Sequence, residues 1–187
     1  VMMKRFRVCV KSFASLMRVF WQMIYGMWHI SALKEPIVTI FGGARFTRDD
    51  FYFKQAHELG RKLVELNISV LTGGGPGIME GVSCGARVTQ KNEATIMGIG
   101  VTDLGEKPNK CVQKYLELKY FFARKWLLTR FSTAFIVFPG GYGTLDEMAE
   151  VLTLIQLKKL PRSPIILVGT EYWEPFMHWL KTEAIKH

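Results

Sequence analysis

Three times in this chain a short apolar run ends in clustered glycines and gives way to helical spacing. The runs are IVTIFGG at 37–43, ISVLTGGGPG at 68–77 and AFIVFPGGYG at 134–143. A buried strand that stops in glycine just before a helix is half of a βαβ unit. Further apolar runs at 94–101, 115–121 and 164–169 read as strands. Residues 49–66, 77–90, 121–130, 144–158 and a stretch from 172 carry helical spacing, as with Phe53, Ala56, Leu59, Leu63 and Leu66 on one face. Residues 102–113, TDLGEKPNKCVQ, are polar with Gly and Pro and read as a loop. This alternation predicts an α/β protein with a Rossmann-like parallel sheet and helices on both faces. Right-handed crossovers bring every strand's C-terminal end to one edge, and ligands of such sheets bind there, near a switch in strand order. The three glycine turns therefore share an edge.

The organisation reads as two parts: a basic amphipathic helical segment over 1–34 and a Rossmann-like nucleotide-binding domain over 35–187. The net charge of +9 raises the question of nucleic acid or anionic membrane. Its location answers part of it. Residues 1–34 hold Lys4, Arg5, Arg7, Lys11, Arg18 and Lys34 and no acid, whereas the other 153 residues carry 19 basic and 16 acidic side chains. A near-neutral domain is a poor match for a phosphodiester backbone, so no nucleic-acid partner is expected. Between Arg18 and Lys34 lie fifteen uncharged residues, fewer than the ~18 to 20 of a spanning helix. No stable membrane insertion is expected. Phe13, Leu16, Met17, Phe20, Ile24, Met27 and Trp28 recur at helical spacing, with Ser15, Arg18, Gln22 and His29 opposite. This stripe predicts a helix packed on the domain or on a partner subunit; a membrane-surface helix and a targeting segment are the alternatives. Cys9, Cys84 and Cys111 form no metal or redox spacing and read as reduced thiols of a cytoplasmic protein. His29, His57, His178 and His187 form no close pair, so no metal site is expected.

Neither G-x-G-x-x-G nor G-x-x-x-x-G-K-[ST] is present. Glycine turns after strands also arise for steric reasons alone, but two long ones at one edge, each opening a helix, favour a phosphate site. Gly140, Gly141, Gly143 and Thr144 would serve it from one side and Gly74, Gly75 and Gly77 from the other. Glu147 has a plain reading as an acid favoured by the helix dipole, as does Glu80, and Arg124 with Lys125 has one as a solvated pair.

GGGPGIMEG at 73–81, YFFARK at 120–125 and PGGYGTLDE at 139–147, in this order and spacing, resemble the LOG ("lonely guy") family of cytokinin riboside 5′-monophosphate phosphoribohydrolases, long labelled lysine decarboxylases. The N-terminal helix and VTIFGGAR look like the longer bacterial-type members. The resemblance implies hydrolysis of the N-glycosidic bond of a nucleoside 5′-monophosphate, with no cofactor, in a homodimer or larger homo-oligomer. It assigns Arg124 and Glu147 as the catalytic pair and the glycine turns as phosphate loops. Glu80, Lys125 and Asn109 become substrate-contacting positions. The chain departs from the family pattern at 101–109, where VTDLGEKPN keeps Glu106 and Asn109 but replaces a leucine-proline by Thr102-Asp103, beside the expected base pocket. Ser83 stands near a family asparagine, and the chain stops at His187 where relatives continue. The alternative is a binding module: similar folds serve a molybdenum-cofactor carrier and a single-strand DNA-loading protein, without hydrolysis. Literal lysine decarboxylation would need a pyridoxal cofactor that nothing in the sequence suggests.

Overall fold

A computed structural model describes residues 2–88, 93–102, 105 and 107–184, excluding the side chains of Met2 and Lys4. Asp103, Glu106 and His187 lie outside the described residues. Six strands, β1 (Ile37–Phe41), β2 (Ser69–Thr72), β3 (Ile96–Val101), β4 (Lys114–Leu118), β5 (Ala134–Val137) and β6 (Ile165–Leu167), form one sheet in the order β4-β3-β2-β1-β5-β6. Every pairing is parallel. The strand order reverses at β1, whose neighbours are β2 and β5. The Rossmann-like expectation holds, and the ends of β1, β2 and β5 are the strands that carry the glycine turns.

The helices are α1 (Met2–Ser31), α2 (Phe51–Glu65), α3 (Ile78–Arg87), α4 (Phe121–Arg130), α5 (Tyr142–Gln156) and α6 (Thr170–Trp179), the last extended by a π turn, Leu180–Ala184. Strand alternation sorts them to the two faces. Val38, Ile40, Val70, Ile96 and Ile136 meet Ala56, Leu63 and Val64 of α2 and Ile78, Val82 and Ala86 of α3. Ile37, Phe41, Leu71, Ile99, Phe135 and Val137 meet residues of α1, α4, α5 and α6, Leu127, Met148, Val151 and Trp173 among them. Thr39 is buried in β1, and its hydroxyl donates to the Leu128 carbonyl at 2.7 Å. That bond pins the end of α4 to the central strand.

The N-terminal helix forms, and it meets the domain mainly through a face other than its apolar stripe, of which Met27 reaches the core. Val19, Gly26 and Ile30 are buried, and Ser15 and Gln22 bond to Tyr120 and to the Lys119 amide. A Cβ on Gly26 would stand against Leu127 of α4, 2.5 Å from its Cδ1. Only the glycine side of α1 allows so close a crossing. Phe13, Leu16, Phe20, Ile24 and Trp28 are left exposed.

The thiol expectation is also corrected. Cys84 and Cys111 form a disulfide, and Cys9 alone is free. The two are 27 residues apart in sequence, but the chain after β3 folds back across α3 and brings them to a Cα separation of 4.8 Å.

Candidate active site

The site is built where three glycine turns close on one another. The Gly43 amide donates to Pro139 O at 3.0 Å and the Ile78 amide to Gly43 O at 3.0 Å, so the turns after β1, β2 and β5 share hydrogen bonds. Gly77 has φ +70°, and a Cβ there would run into the backbone of Gly43 and Ala44. The sequence needs glycine at this position for both reasons. Gly140 is packed against the side chain of Thr144, which is buried, and its carbonyl accepts from the Tyr172 hydroxyl at 2.5 Å. Gly141 and Gly143 face open space. Gly141 is the N-cap of α5 and has no side-chain cap. The first amides of α5 therefore point from an uncapped helix end toward solvent, the geometry that suits an anion.

The turn after β2 is held quite differently. Gly74 has φ +74°, with the Tyr115 ring stacked where a side chain would go. Asn109 is buried, and its Nδ2 donates to Gly74 O and Gly75 O, both at 3.0 Å. Its backbone amide also donates to Gly74 O, at 2.8 Å. Its Oδ1 accepts from the Cys111 and Val112 amides at 3.1 and 3.0 Å. Asn109 is thus occupied in tying its own loop to the Gly74–Gly75 turn. Sequence reasoning chose the residue as a substrate contact, and the bonds it makes are those of a brace.

Arg124, in the first turn of α4, donates from Nη2 to Glu147 Oε1 on α5 at 2.9 Å. Both side chains are only 13% exposed. A Cβ on Gly73 would collide with the Arg124 guanidinium, so the arginine lies against the turn after β2 while its partner follows the turn after β5. One ion pair links the two turns. Arg124 Nε is buried and donates to no acceptor among the described residues, an unusual state for so polar a donor. The sequence-predicted catalytic pair is therefore brought together at the expected edge.

Lys125 is engaged with α5 as well, its Nζ lying 3.0 Å from Asp146 Oδ2 and 2.6 Å from Glu150 Oε2. Burial opposes its charge, but the hydrogen bonds it donates to Glu150 and Asp146 outweigh it and hold the ammonium above its ordinary pKa. This side chain clamps α4 to α5. Glu80, in the first turn of α3, accepts from Arg48 Nη2 at 3.2 Å. Sequence reasoning missed Tyr115 and Tyr172, which touch the glycine turns, and Arg48 and Glu150, which pair with Glu80 and Lys125; no spacing signal marks them. Among the described residues, no group of three or more His, Cys, Asp or Glu could hold a metal ion. No helix among them is long and apolar enough to cross a membrane.

This geometry defines a Rossmann-like α/β protein with two glycine turns and a buried arginine–glutamate pair at the switch point. Solved structures agree on the fold. The molybdenum cofactor binding protein of Rippkaea orientalis matches at 25% identity and a TM-score of 0.60, over 80% of this chain and 87% of that one. The molybdenum cofactor carrier protein of Chlamydomonas reinhardtii matches at 24% identity and 0.61, over 80% and 86%. The family described as "Possible lysine decarboxylase" matches residues 78–187, and the chain belongs to that family, the LOG family. The cytokinin riboside 5′-monophosphate phosphoribohydrolase LOG of Oryza sativa subsp. japonica is 31% identical over 147 residues, 76% of this chain and 59% of the relative. The enzyme of the same description from Rhodococcoides fascians is 26% identical over 163 residues, 84% of this chain and 81% of the relative. The chain thus spans less than two thirds of the rice protein's length.

Proposed function

We propose that this protein hydrolyses the N-glycosidic bond of nucleoside 5′-monophosphates, of the cytokinin riboside or AMP kind, to free base and ribose 5-phosphate. The observation that carries the reading is the buried Arg124–Glu147 pair, with an unpartnered Nε, set between two glycine turns. The named activity of the relatives supports it. As the base departs, the ribose becomes oxocarbenium-like, and a carboxylate at the anomeric carbon stabilises that charge or activates water. Glu147 takes this role. Arg124 orients Glu147 and grips ribose or phosphate oxygens. Gly140, Gly141, Gly143 and Thr144 seat the phosphate, with Gly74, Gly75 and Gly77 opposite. Glu80 lines the sugar and base side, and Lys125 and Asn109 act as braces for the helices and turn that carry the contacts. Acid–base chemistry of this kind needs no cofactor.

The phosphate is a handle whose binding energy positions the sugar. AMP and isopentenyladenosine monophosphate should therefore be cleaved at least about 10²-fold faster, in kcat/KM, than the matching nucleosides. Chromatography of released base measures this, and equal rates with and without phosphate would refute it. The fold's likeness to molybdenum-cofactor carriers favours a second reading, a non-catalytic carrier. Tight binding of nucleotides with no base release over hours would select the carrier. We further propose a homodimer, or a larger homo-oligomer, working in the cytoplasm. The exposed stripe of Phe13, Phe20, Ile24 and Trp28 on α1 supports self-association. Sedimentation of the intact chain as a monomer at micromolar concentration would exclude it.

A further inference from the structure

Beside the site, but outside it, lies a cleft of about 500 Å³ whose lining includes Arg48, Lys54, His57 and Glu58 around both Cys84 and Cys111. The wall is rigid: a Cβ on Gly85 would run into the His57 carbonyl, so α2 and α3 touch backbone to backbone beside the disulfide. Both cysteines are half-buried, reachable through the cleft. The acid of the lining is already satisfied, since Glu58 accepts from Arg61 Nε at 2.9 Å and lies 3.7 Å from Lys62 Nζ. Arg48 pairs with Glu80, whereas Lys54 makes no salt bridge among the described residues and is exposed, with Asp50 as an electrostatic neighbour. On the far side Arg87 Nη1 donates to Lys110 O at 2.8 Å. The lining itself thus carries two cations, Arg48 and Lys54, against the single carboxylate of Glu58, and includes both cysteines.

What that disulfide holds is specific. Cys111 is two residues from Asn109, and its own amide is bonded to Asn109 Oδ1. Asn109 in turn fixes the carbonyls of Gly74 and Gly75. One end of the clasp is α3, which carries Glu80, and the other is the loop that braces the turn.

We propose that the Cys84–Cys111 disulfide is a thiol-exchange site, reached through this cleft by small anionic thiols, and that its redox state sets how firmly Asn109 holds the Gly74–Gly75 turn. A thiolate entering the cleft attacks one sulfur. The Cys84–Cys111 bond breaks, and its electron pair leaves on the other sulfur, which takes a proton. A second thiol attacks the mixed disulfide and releases the oxidised small disulfide. Two cysteine thiols result, at the expense of two electrons from two molecules of thiol. Disulfides that small thiols can reach are the ones open to exchange. Once the bond is open, the loop loses its covalent tie to α3 and keeps only non-covalent holds, those of Asn109, Arg87, Val112 and Gln113 among them, so it occupies its place for a smaller fraction of the time. Apparent affinity falls by that fraction. The effect on substrate rests on the hydrolase reading of this site; the exchange chemistry does not.

The test uses the full chain, oxidised with glutathione disulfide and then treated with reduced glutathione or with cationic cysteamine. Non-reducing peptide mapping should show the Cys84–Cys111 link in the oxidised protein. Glutathione should open it at least about threefold faster than cysteamine per thiolate, and Lys54→Glu should abolish that preference. Trypsin should cut after Lys110 faster in the reduced chain. The KM for AMP should rise about fivefold on reduction with kcat nearly unchanged, and a Cys84→Ser/Cys111→Ser variant should show the reduced KM whatever the thiol present. Failure to form the link, equal tryptic rates in the two states, or equal rates for the two thiols overturns the proposal. The tryptic and exchange readouts need no turnover, so a chain without hydrolase activity still decides it. If AMP is hydrolysed but its KM ignores the redox state, the clasp fails while the enzymatic reading stands.

Discussion

The two long glycine turns look alike in sequence and are opposites in structure. The turn after β5 is open: Gly141 and Gly143 meet nothing where a side chain would stand. The turn after β2 is clamped, by Asn109 from a distant loop, by Tyr115 against Gly74 and by the Arg124 guanidinium against Gly73. Glycine is therefore present for two reasons within one protein. In the first turn it leaves room for something outside the chain, and in the second for other parts of the chain itself. The Arg124–Glu147 pair belongs to both, since its arginine touches the clamped turn and its acid follows the open one.

Breaking that link should have the largest effect. Glu147→Gln and Arg124→Ala are each expected to lower kcat for AMP hydrolysis by roughly 10²-fold or more, the usual loss for a general base or a charge-stabilising group. Steady-state assays measure it, and the double variant should lose little more than the worse single one, because groups acting as a unit are not additive. Near-wild-type turnover in either single variant removes that residue from the mechanism. Additive losses would mean that the two turns work independently.

The clamped turn should report on stability. Gly77→Ala forces a side chain into a positive-φ position and against the Gly43 and Ala44 backbone, which cannot yield as a flexible side chain would. A loss of about 3 kcal/mol is expected from strain and overpacking together. Asn109→Ala removes the donor to two carbonyls and the acceptor for two amides, all at a buried position. About 2 kcal/mol should go with it, because buried groups left unpaired lose their full solvation. Denaturant unfolding measures both. An Asn109→Ala chain of unchanged stability but failed substrate binding would return Asn109 to the role of direct contact and blur the contrast between the turns.

The difference between the turns also explains what was legible in the sequence. Strands, glycine turns and the acid after PGGYGTLD follow from local composition, so the parallel sheet and the shared edge could be read directly. Arg124 gained its meaning only when set beside Glu147 by family spacing. The clamps could not be read, because each depends on a contact between elements. Asn109 sits in a polar loop with no period, and its partners Gly74 and Gly75 are 35 and 34 residues away. Lys125 looked free because its acids, Asp146 and Glu150, are on the next helix. Cys84 and Cys111 looked like unrelated thiols for the same reason. For α1 the period was right, but which side meets the domain could not be read: a stripe of large apolar residues marks a surface that wants covering, whereas a close helix crossing selects the side with the glycine.

The smallest expected effect is the sharpest discriminator. Gly141 has φ −90°, a conformation any residue adopts, and open space where a Cβ would go. Gly141→Ala should therefore leave thermal unfolding within about 0.5 kcal/mol of the parent, as surface substitutions usually do. Yet the added methyl would occupy the approach to the first amides of α5. If a phosphate seats there, its contacts lengthen and KM for AMP should rise about tenfold, or about 1.4 kcal/mol of lost binding, with kcat reduced much less. A steric block of the phosphate handle should also narrow the gap between AMP and adenosine, because adenosine never used the seat. A variant that unfolds earlier while KM stays constant would show that the open turn is as structural as the clamped one, and the distinction between them would fall.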